Sequence, residues 1–208
     1  MIPVTYQDEP KHPEFNFDLK VRQRGKDWLN AKNIPLDGPL PKRMRPPRYW
    51  AACLHILHHK YGGICAYLSV RIDHSPTIDH YVPKSKLAGL AYEWSNYRLA
   101  CAEMNQNKAD FTTVLDPFEL VAGTFHLDLL HGLVIVNPEI QGETRDNAQA
   151  TIDCLDLNNE RFRKMRVRIF DTYINQSINT APPQQSARDA LKDESPFVFL
   201  EAERQELL

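Results

Sequence analysis

A short segment of this 208-residue chain holds side chains whose types suit the hydrolysis of a phosphodiester bond. An Asp-His pair at Asp79 and His80 is followed by Asn96, and then by Asn105 and Lys108. Phosphodiester hydrolysis needs an activated water, charge neutralisation on the pentacovalent phosphorus and assistance to the leaving oxygen. One divalent cation can supply the last two. Histidine is the usual general base near neutral pH.

The oxygen-bearing side chains of this set favour a hard cation. Asp79 offers an anionic ligand and Asn105 a neutral amide oxygen, which suit Mg²⁺ or Mn²⁺. His80 is the candidate base. Neighbouring residues of a strand point to opposite faces, so the chain must bend after His80 if both groups are to reach one phosphate. Pro83 is placed to help end that strand.

The spacing, with Trp94-Ser-Asn-Tyr-Arg-Leu-Ala-Cys101 between its parts, resembles the HNH endonuclease family, whose ββα-metal site cuts phosphodiester bonds. The resemblance implies that Asp79 and Asn105 bind one Mg²⁺ or Mn²⁺ ion. It implies that His80 is the general base and that Asn96 orients it by tying down the loop between the strands. Lys108 is expected to lie near the phosphate, one helical turn after Asn105.

The cysteines depart from the pattern of this family. Many HNH relatives carry two Cys-x-x-Cys knuckles that hold a structural zinc ion. Here Cys65 is followed by Leu68 and Cys101 by Met104, so each knuckle keeps its first cysteine alone. Two thiolates make a poor tetrahedral site. We therefore expect no structural zinc, with Leu68 and Met104 acting as packing residues.

Charge and basic patches bear on nucleic-acid binding. The formal net charge is −2, whereas a stand-alone DNA-binding protein is usually basic, so affinity must come from local patches, a metal or a partner. The first patch lies within 20–48 and contains the basic loop Lys42-Arg-Met-Arg-Pro-Pro-Arg48, with the aromatic pair Tyr49-Trp50 directly after it. The second patch, over 161–168, is either a phosphate-binding surface or a solvated helix face. The predicted phosphate or nucleic-acid contacts are Lys42, Arg43, Arg45, Arg48, Lys84 and Lys108.

The hydrophobic pattern predicts an α+β fold, mainly helical, with short strands and an additional β-hairpin, in a single domain. The resemblance implies that the short strands belong to a ββα-metal core. The domain is divided into three segments. These are an N-terminal helical segment over 1–60, the ββα-metal core over 61–112, and a C-terminal segment over 113–208 that contains the hairpin and further helices. Helices are predicted over 18–32, 48–60, 103–109, 144–155 and 160–174, and strands over 64–68, 77–82, 125–129 and 133–136. The stretch 175–195 is predicted to be a polar loop. The last helix, 196–208, either caps the core or docks on a partner.

The sequence around Tyr61-Gly-Gly-Ile-Cys-Ala-Tyr67 resembles the HNH component of Septu-type and retron-associated anti-phage systems. That resemblance implies a DNA-cleaving effector that works with a protein partner such as an operon-encoded ATPase. An RNA- or tRNA-cleaving HNH nuclease and a degenerate HNH fold that serves as a binding or scaffold subunit stay open as alternatives. Scattered cysteines, no signal peptide and no membrane-length apolar run predict a cytoplasmic protein without a membrane partner.

Overall fold

The computed structural model of the chain describes residues 1–12, 15–178 and 185–208. These residues contain seven α-helices and three two-stranded antiparallel sheets, which confirms the α+β class. Within them, no helix is both long enough and apolar enough to cross a membrane.

The chain forms two compact units, which we call the motif unit and the hairpin unit. The motif unit contains residues 5–63 and 73–112. The hairpin unit contains residues 1–4, 64–72 and 113–208. The predicted packing of all segments as one domain stays a prediction.

The structure confirms two predicted helices in the first part of the motif unit, after the short strands β1 and β2. A π-helical turn leads directly into α1, where Val21 and Leu29 are buried, and a 3₁₀ helix leads directly into α2. The elements are β1 (Lys11–His12), β2 (Phe15–Asn16), the π-helical turn (Asp18–Arg22), α1 (Gln23–Ala31), a 3₁₀ helix (Tyr49–Cys53), α2 (Leu54–Lys60), β3 (Pro76–His80), two 3₁₀ helices (Ala88–Tyr92 and Trp94–Asn96), β4 (Tyr97–Cys101) and α3 (Ala102–Lys108).

Strands β3 and β4 and helix α3 follow one another in a strand–strand–helix order. The two strands pair antiparallel, with Asp79 opposite Arg98 and His80 opposite Tyr97. Helix α3 starts directly after β4. Strand β3 ends at His80 and the backbone bends at the next two residues, as the sequence required for Asp79 and His80 to serve one site.

A close helix-to-ring approach at Gly25 positions the aromatic residues beside β3. A Cβ at Gly25 would lie 2.0 Å from the ring of Tyr92, so only glycine lets α1 lie directly against it. The Tyr92 ring packs on Trp50, with 5.6 Å between the ring centroids. Trp50 in turn meets His80 edge-on at 4.8 Å. Helix α1 thus supports the candidate base through two rings.

The hairpin unit contains the predicted hairpin and four helices. Strands β5 and β6 pair antiparallel, with Phe125 opposite Val136, which confirms the hairpin. Its elements are β5 (Phe125–Asp128), β6 (Leu133–Val136), α4 (Gly142–Cys154), α5 (Glu160–Ile178), α6 (Gln185–Glu194) and α7 (Pro196–Arg204).

Two predicted segments of this unit are wrong. The predicted strand over 64–68 is a turn, closed by hydrogen bonds from the Cys65 amide to the Val70 carbonyl and from the Ser69 amide to the Cys65 carbonyl. Ser69, the residue directly after this segment, has a φ of 55°, so the chain does not continue as an extended strand there. The predicted polar loop over 175–195 contains the end of α5 and the whole of α6, while 179–184 lie outside the described residues.

Arg166 of the second basic patch is a structural residue. Its side chain is buried, and its Nη1 donates to the carbonyls of Gly132 at 2.9 Å and Leu157 at 2.8 Å. Burial lowers the pKa of Arg166 to about 10. This arginine therefore fastens the hairpin turn to α5 and is not presented to a phosphate.

Helix α7 caps the core of the hairpin unit, which is one of the two roles that the sequence left open. Phe197, Val198 and Ala202 are buried, and Leu200 is 45% exposed. The buried Glu201 carboxylate accepts a hydrogen bond from the Leu127 amide at 3.0 Å. Most of the apolar face of α7 is thus already used inside this unit.

We predict that Phe197→Ala lowers the free energy of unfolding by about 3–5 kcal/mol, because it leaves a cavity in a closed core. Leu200→Ala on the same helix is the matched control, since its half-exposed side chain leaves no such cavity. Urea denaturation followed by circular dichroism measures both. Equal losses in the two variants would contradict the capping role of α7.

Candidate functional site

A surface pocket of about 330 Å³ lies at the end of β3 in the motif unit. It brings together five of the ten predicted catalytic, metal-binding and phosphate-contact residues, and it adds Trp50 and Asp110. The lining residues are Arg48, Trp50, Ile78, Asp79, His80, Pro83, Lys84, Asn105, Ala109 and Asp110. Lys42, Arg43 and Arg45 are exposed on the neighbouring basic loop but do not line the pocket.

One backbone carbonyl fixes which nitrogen of the His80 ring carries the proton. Nε2 lies 3.0 Å from the Ala91 carbonyl oxygen, which can only accept, so Nε2 carries the proton. Nδ1 therefore carries the lone pair in the neutral ring. Nδ1 lies 3.2 Å from Nζ of Lys84, which lines the same pocket. The acceptor nitrogen of His80 is thus on the pocket side.

Burial keeps the His80 ring neutral. Its side chain is packed edge-on between Trp50 and Tyr97. Desolvation, with a smaller contribution from the positive charge of Lys84, lowers the pKa of His80 to about 3. The ring is consequently uncharged across the physiological pH range, which is the state that a general base requires.

Asn96 ties down the chain that leaves β3. Its Oδ1 accepts from the Val82 amide at 2.7 Å, and its Nδ2 donates to the carbonyls of Val82 and Leu90, both at 3.0 Å. The Tyr81 amide donates to the backbone carbonyl of Asn96 at 2.9 Å. One buried amide therefore holds both the bend after His80 and the segment that carries Ala91. These contacts are of the kind that the resemblance implies for Asn96.

Asp79 is buried and is paired with Lys108. The Lys108 ammonium lies 3.3 Å from Asp79 Oδ2 and donates to the His80 carbonyl at 3.1 Å. The Lys108 side chain is 0% exposed. This placement differs from the predicted phosphate contact, because the Lys108 ammonium forms an ion pair with Asp79 inside the protein. Lys108 instead balances the charge of the predicted metal ligand.

Asn105 presents an amide oxygen at the pocket. Its Nδ2 donates to Thr77 Oγ1 at 3.0 Å and to the Ile78 carbonyl at 3.2 Å. These bonds set the orientation of the amide group and leave Oδ1 as the atom for a cation. Asn105 reaches the pocket from the second turn of α3, while Asp79 reaches it from β3.

Two basic side chains, Arg48 and Lys84, and a second acid, Asp110, also line the pocket. Arg48 is exposed, and the half-buried Lys84 ammonium lies 5.4 Å from the centroid of the Trp50 ring. Desolvation lowers the pKa of Lys84, although Asp79 and Asp110 oppose this effect. Asp110 also accepts from the Ser85 hydroxyl at 2.8 Å. The pocket thus offers positive charge to an anion beside an acidic interior.

The two cysteine segments belong to different units. Cys65 and Leu68 are buried in the hairpin unit, whereas Met104 is buried and Cys101 half-buried in the motif unit. Leu68 and Met104 are hydrophobic packing residues within their own units. The absence of structural zinc stays a prediction.

The residues present at the pocket fit a hard divalent cation. Among the residues that the structure describes, no three His, Cys, Asp or Glu side chains form a metal-binding group. Asp79 and the amide oxygen of Asn105 are two hard oxygen donors, however, and Mg²⁺ commonly keeps several waters with one or two protein ligands. The nearby Lys108 ammonium is a competitor for Asp79.

No protein-family model matches this chain, and no curated protein is significantly similar to it in sequence. The geometry of the motif unit therefore carries the functional argument.

Sequence reasoning missed three contributors to the site. The Ala91 carbonyl has no sequence signature, because any residue supplies such a group. Trp50 stood out only as part of an aromatic pair behind the basic loop, and the spacing gave no sign that it packs on His80. Asp110 lies two residues after Lys108 in the sequence, and an acid so close to a predicted metal site could have indicated that it lines the same pocket.

We predict that His80 makes the protein lose stability in mild acid. The unfolded ring titrates near 6.5 and the folded ring near 3. Between these values the unfolded state binds the extra proton, so stability falls as the pH is lowered. Urea unfolding in EDTA at about pH 7 and about pH 5 should show a loss larger by on the order of 2 kcal/mol for wild type than for His80→Gln. Parallel losses would show that burial of His80 does not oppose protonation.

Proposed function

We propose that this chain is a metal-dependent endonuclease of the HNH type, which hydrolyses phosphodiester bonds and acts on DNA. One observation carries the proposal. The ring of His80 is held neutral, with its acceptor Nδ1 on the side of a pocket that Asp79 and Asn105 also line. A base beside two hard oxygen ligands is the arrangement that metal-assisted hydrolysis needs.

Each residue has a distinct task in this reaction. His80 Nδ1 takes a proton from the attacking water, while the Ala91 carbonyl keeps the other ring nitrogen protonated. Asn96 holds the bend so that His80 keeps its direction. Asp79 and Asn105 would hold one Mg²⁺ or Mn²⁺ ion, which supplies charge neutralisation and assistance to the leaving oxygen.

The basic side chains at the pocket support a nucleic acid as the substrate class. Arg48 and Lys84 line the pocket, and Lys42, Arg43 and Arg45 extend positive charge along the adjoining loop. Side chains of this kind bind phosphates without reading the base sequence. The choice of DNA follows the family resemblance, and cleavage of RNA or tRNA is the other outcome of a substrate test.

A protein partner is part of the proposal. The formal net charge of −2 gives a polyanion little long-range attraction to this chain. A non-specific nuclease also endangers the chromosome of its host, so a partner that restrains or targets it is expected. The resemblance to anti-phage effectors suggests an ATPase encoded in the same operon.

A specific observation favours a second candidate, a degenerate HNH fold that binds without cutting. The fully buried Lys108 supplies the positive charge beside Asp79 that a metal ion would otherwise supply. In that case the pocket would bind a phosphate through Arg48 and Lys84 and leave it intact. Binding of DNA without cleavage under any metal condition would favour this candidate.

We predict that His80→Ala reduces cleavage by about 10²–10⁴-fold, the usual effect of removing a general base. Plasmid, single-stranded DNA and tRNA are each incubated with Mg²⁺ or Mn²⁺, and products are followed on gels. His74→Ala, at an exposed position in the turn before β3, is the matched control and should cut normally.

Folding must be separated from chemistry in this test, because His80 is packed between Trp50 and Tyr97. His80→Gln fills more of this space than His80→Ala and should also be inactive, with a far-UV spectrum like that of wild type. If either folded variant cut as fast as wild type, His80 would not be the base.

We predict that the purified protein contains no stoichiometric zinc and that Mg²⁺ or Mn²⁺ restores cleavage after chelation. The reason is that Leu68 and Met104 cannot replace thiolate ligands, while Asp79 and Asn105 offer oxygen atoms. Elemental analysis and a metal add-back series provide the measurements. One zinc ion per chain that is lost together with folding in Cys65→Ser would contradict the prediction.

A further inference from the structure

The atom of His80 that the proposed reaction uses is already engaged by a lysine. Nζ of Lys84 lies 3.2 Å from Nδ1 of His80, four residues earlier in the chain. An ammonium group has donors and no acceptor, so Lys84 can only donate to the lone pair of Nδ1. While this hydrogen bond exists, Nδ1 cannot accept a proton from water.

The surroundings of Lys84 allow its ammonium to leave. The side chain is half-buried at the pocket, with its Nζ 5.4 Å from the centroid of the Trp50 ring. Lys108, by contrast, is fully buried and donates to the His80 carbonyl, so it belongs to the fixed framework. Of these two lysines, Lys84 is the one beside the space that a substrate would enter.

We propose that Lys84 is a positioning residue that occupies the Nδ1 lone pair of His80 until a substrate phosphate draws its ammonium away, so that phosphate binding itself exposes the base. This inference rests on the proposed nuclease function. It adds to a simple phosphate contact by Lys84 a coupling between substrate binding and the availability of the Nδ1 lone pair of His80.

A phosphodiester is chemically suited to this exchange. A hydrogen bond from an ammonium group to its anionic oxygens joins two opposite charges, whereas the ring nitrogen of His80 offers the ammonium only a neutral acceptor. Lysine carries a compact charge on a flexible four-carbon stem, so a small rotation moves Nζ without moving the backbone. Arg48 lines the same pocket and offers the phosphate a second cation.

The bonds then change in a balanced way. An O–H bond of the attacking water breaks, and its proton goes to the freed Nδ1 of His80. The water oxygen forms a bond to phosphorus, and the bond from phosphorus to the leaving oxygen breaks with its electron pair. That pair stays on the leaving oxygen until it takes a proton from solvent, and His80 returns its own proton to solvent. No oxidant or reductant is needed. In the resting protein the first of these steps is blocked, which limits proton transfer to moments when a phosphate is present.

Nitrogen-15 NMR of the full chain in metal-free buffer tests the exchange without relying on cleavage. The probe is dimethyl phosphate, a minimal phosphodiester, and sodium chloride at equal ionic strength is the control. The Nδ1 signal of His80, assigned with His80→Gln, should show an accepted hydrogen bond in wild type and a free lone pair in Lys84→Met. Dimethyl phosphate should move the wild-type signal toward the position seen in Lys84→Met.

Two results would overturn the inference. An Nδ1 signal that is the same in wild type and Lys84→Met would show that the resting hydrogen bond does not exist. A signal that moves in Lys84→Met but not with dimethyl phosphate would show that phosphate does not displace Lys84. Lys86→Met, at an exposed position two residues away, should behave as wild type, and Lys84→Ala replaces Lys84→Met if that variant does not fold.

Steady-state cleavage provides the second readout. Lys84→Met should raise KM about tenfold through the lost charge-assisted contact, while kcat changes much less, because the base is no longer covered. A residue that merely supported the fold would lower kcat as well. A His80 signal that responds to dimethyl phosphate in a protein that cuts no nucleic acid would leave the inference standing and remove the proposed function. Cleavage of nucleic acid by a protein whose His80 signal does not respond to dimethyl phosphate would support the proposed function and overturn the inference.

Discussion

The site depends on the hydrogen bond from His80 Nε2 to the Ala91 carbonyl. This bond assigns the proton to one ring nitrogen and leaves the other as an acceptor at the pocket. The carbonyl is itself fixed, because the Tyr97 hydroxyl donates to it at 2.9 Å and the amide of Asn96 holds the neighbouring Leu90 carbonyl. The antiparallel pairing of His80 with Tyr97 brings donor, acceptor and supporting ring to one place. A histidine of defined tautomer thus follows from strand register.

Charge balance explains how a buried carboxylate persists beside this ring. Burying an unpaired charge is costly, and removing one partner of a buried pair commonly costs about 3–5 kcal/mol. Lys108 meets Asp79 at 3.3 Å and also satisfies the His80 carbonyl, so it joins the acid to the backbone of the base. The same pairing sets a condition on metal binding, because a cation at Asp79 must share the carboxylate with Lys108 or displace it. Oxygen ligands alone therefore do not define the affinity of this pocket for a metal.

The sequence predicted the parts of the fold that local pattern controls. Helices α1 to α5 and α7 and the hairpin were predicted, whereas α6 lies in a segment predicted to be a polar loop. The bend after His80 followed from the opposite facing of neighbouring residues in a strand. The contacts of Asn96 are of the kind that the resemblance implies, because its side-chain amide both accepts and donates. The turn at 64–68 was mistaken for a strand because its residues are apolar, whereas the left-handed φ of Ser69 has no such signal. Lys108 was predicted to contact phosphate because its spacing after Asn105 places it on α3. The spacing does not show whether its side chain faces the pocket or the protein interior. Long-range contacts of this kind, and any made by a backbone carbonyl, are decided by packing.

The low basicity of His80 has two sources that differ in permanence. Burial between Trp50 and Tyr97 lowers its pKa at all times, and it is also what holds the ring in place. The charge of Lys84 lowers the pKa further, but only while the ammonium stays at the pocket. In the proposed reaction, a phosphate that draws the Lys84 ammonium away would free Nδ1 of His80 without loosening the ring. The packing of the ring would then provide its orientation, and the hydrogen bond between Lys84 and His80 would provide the control.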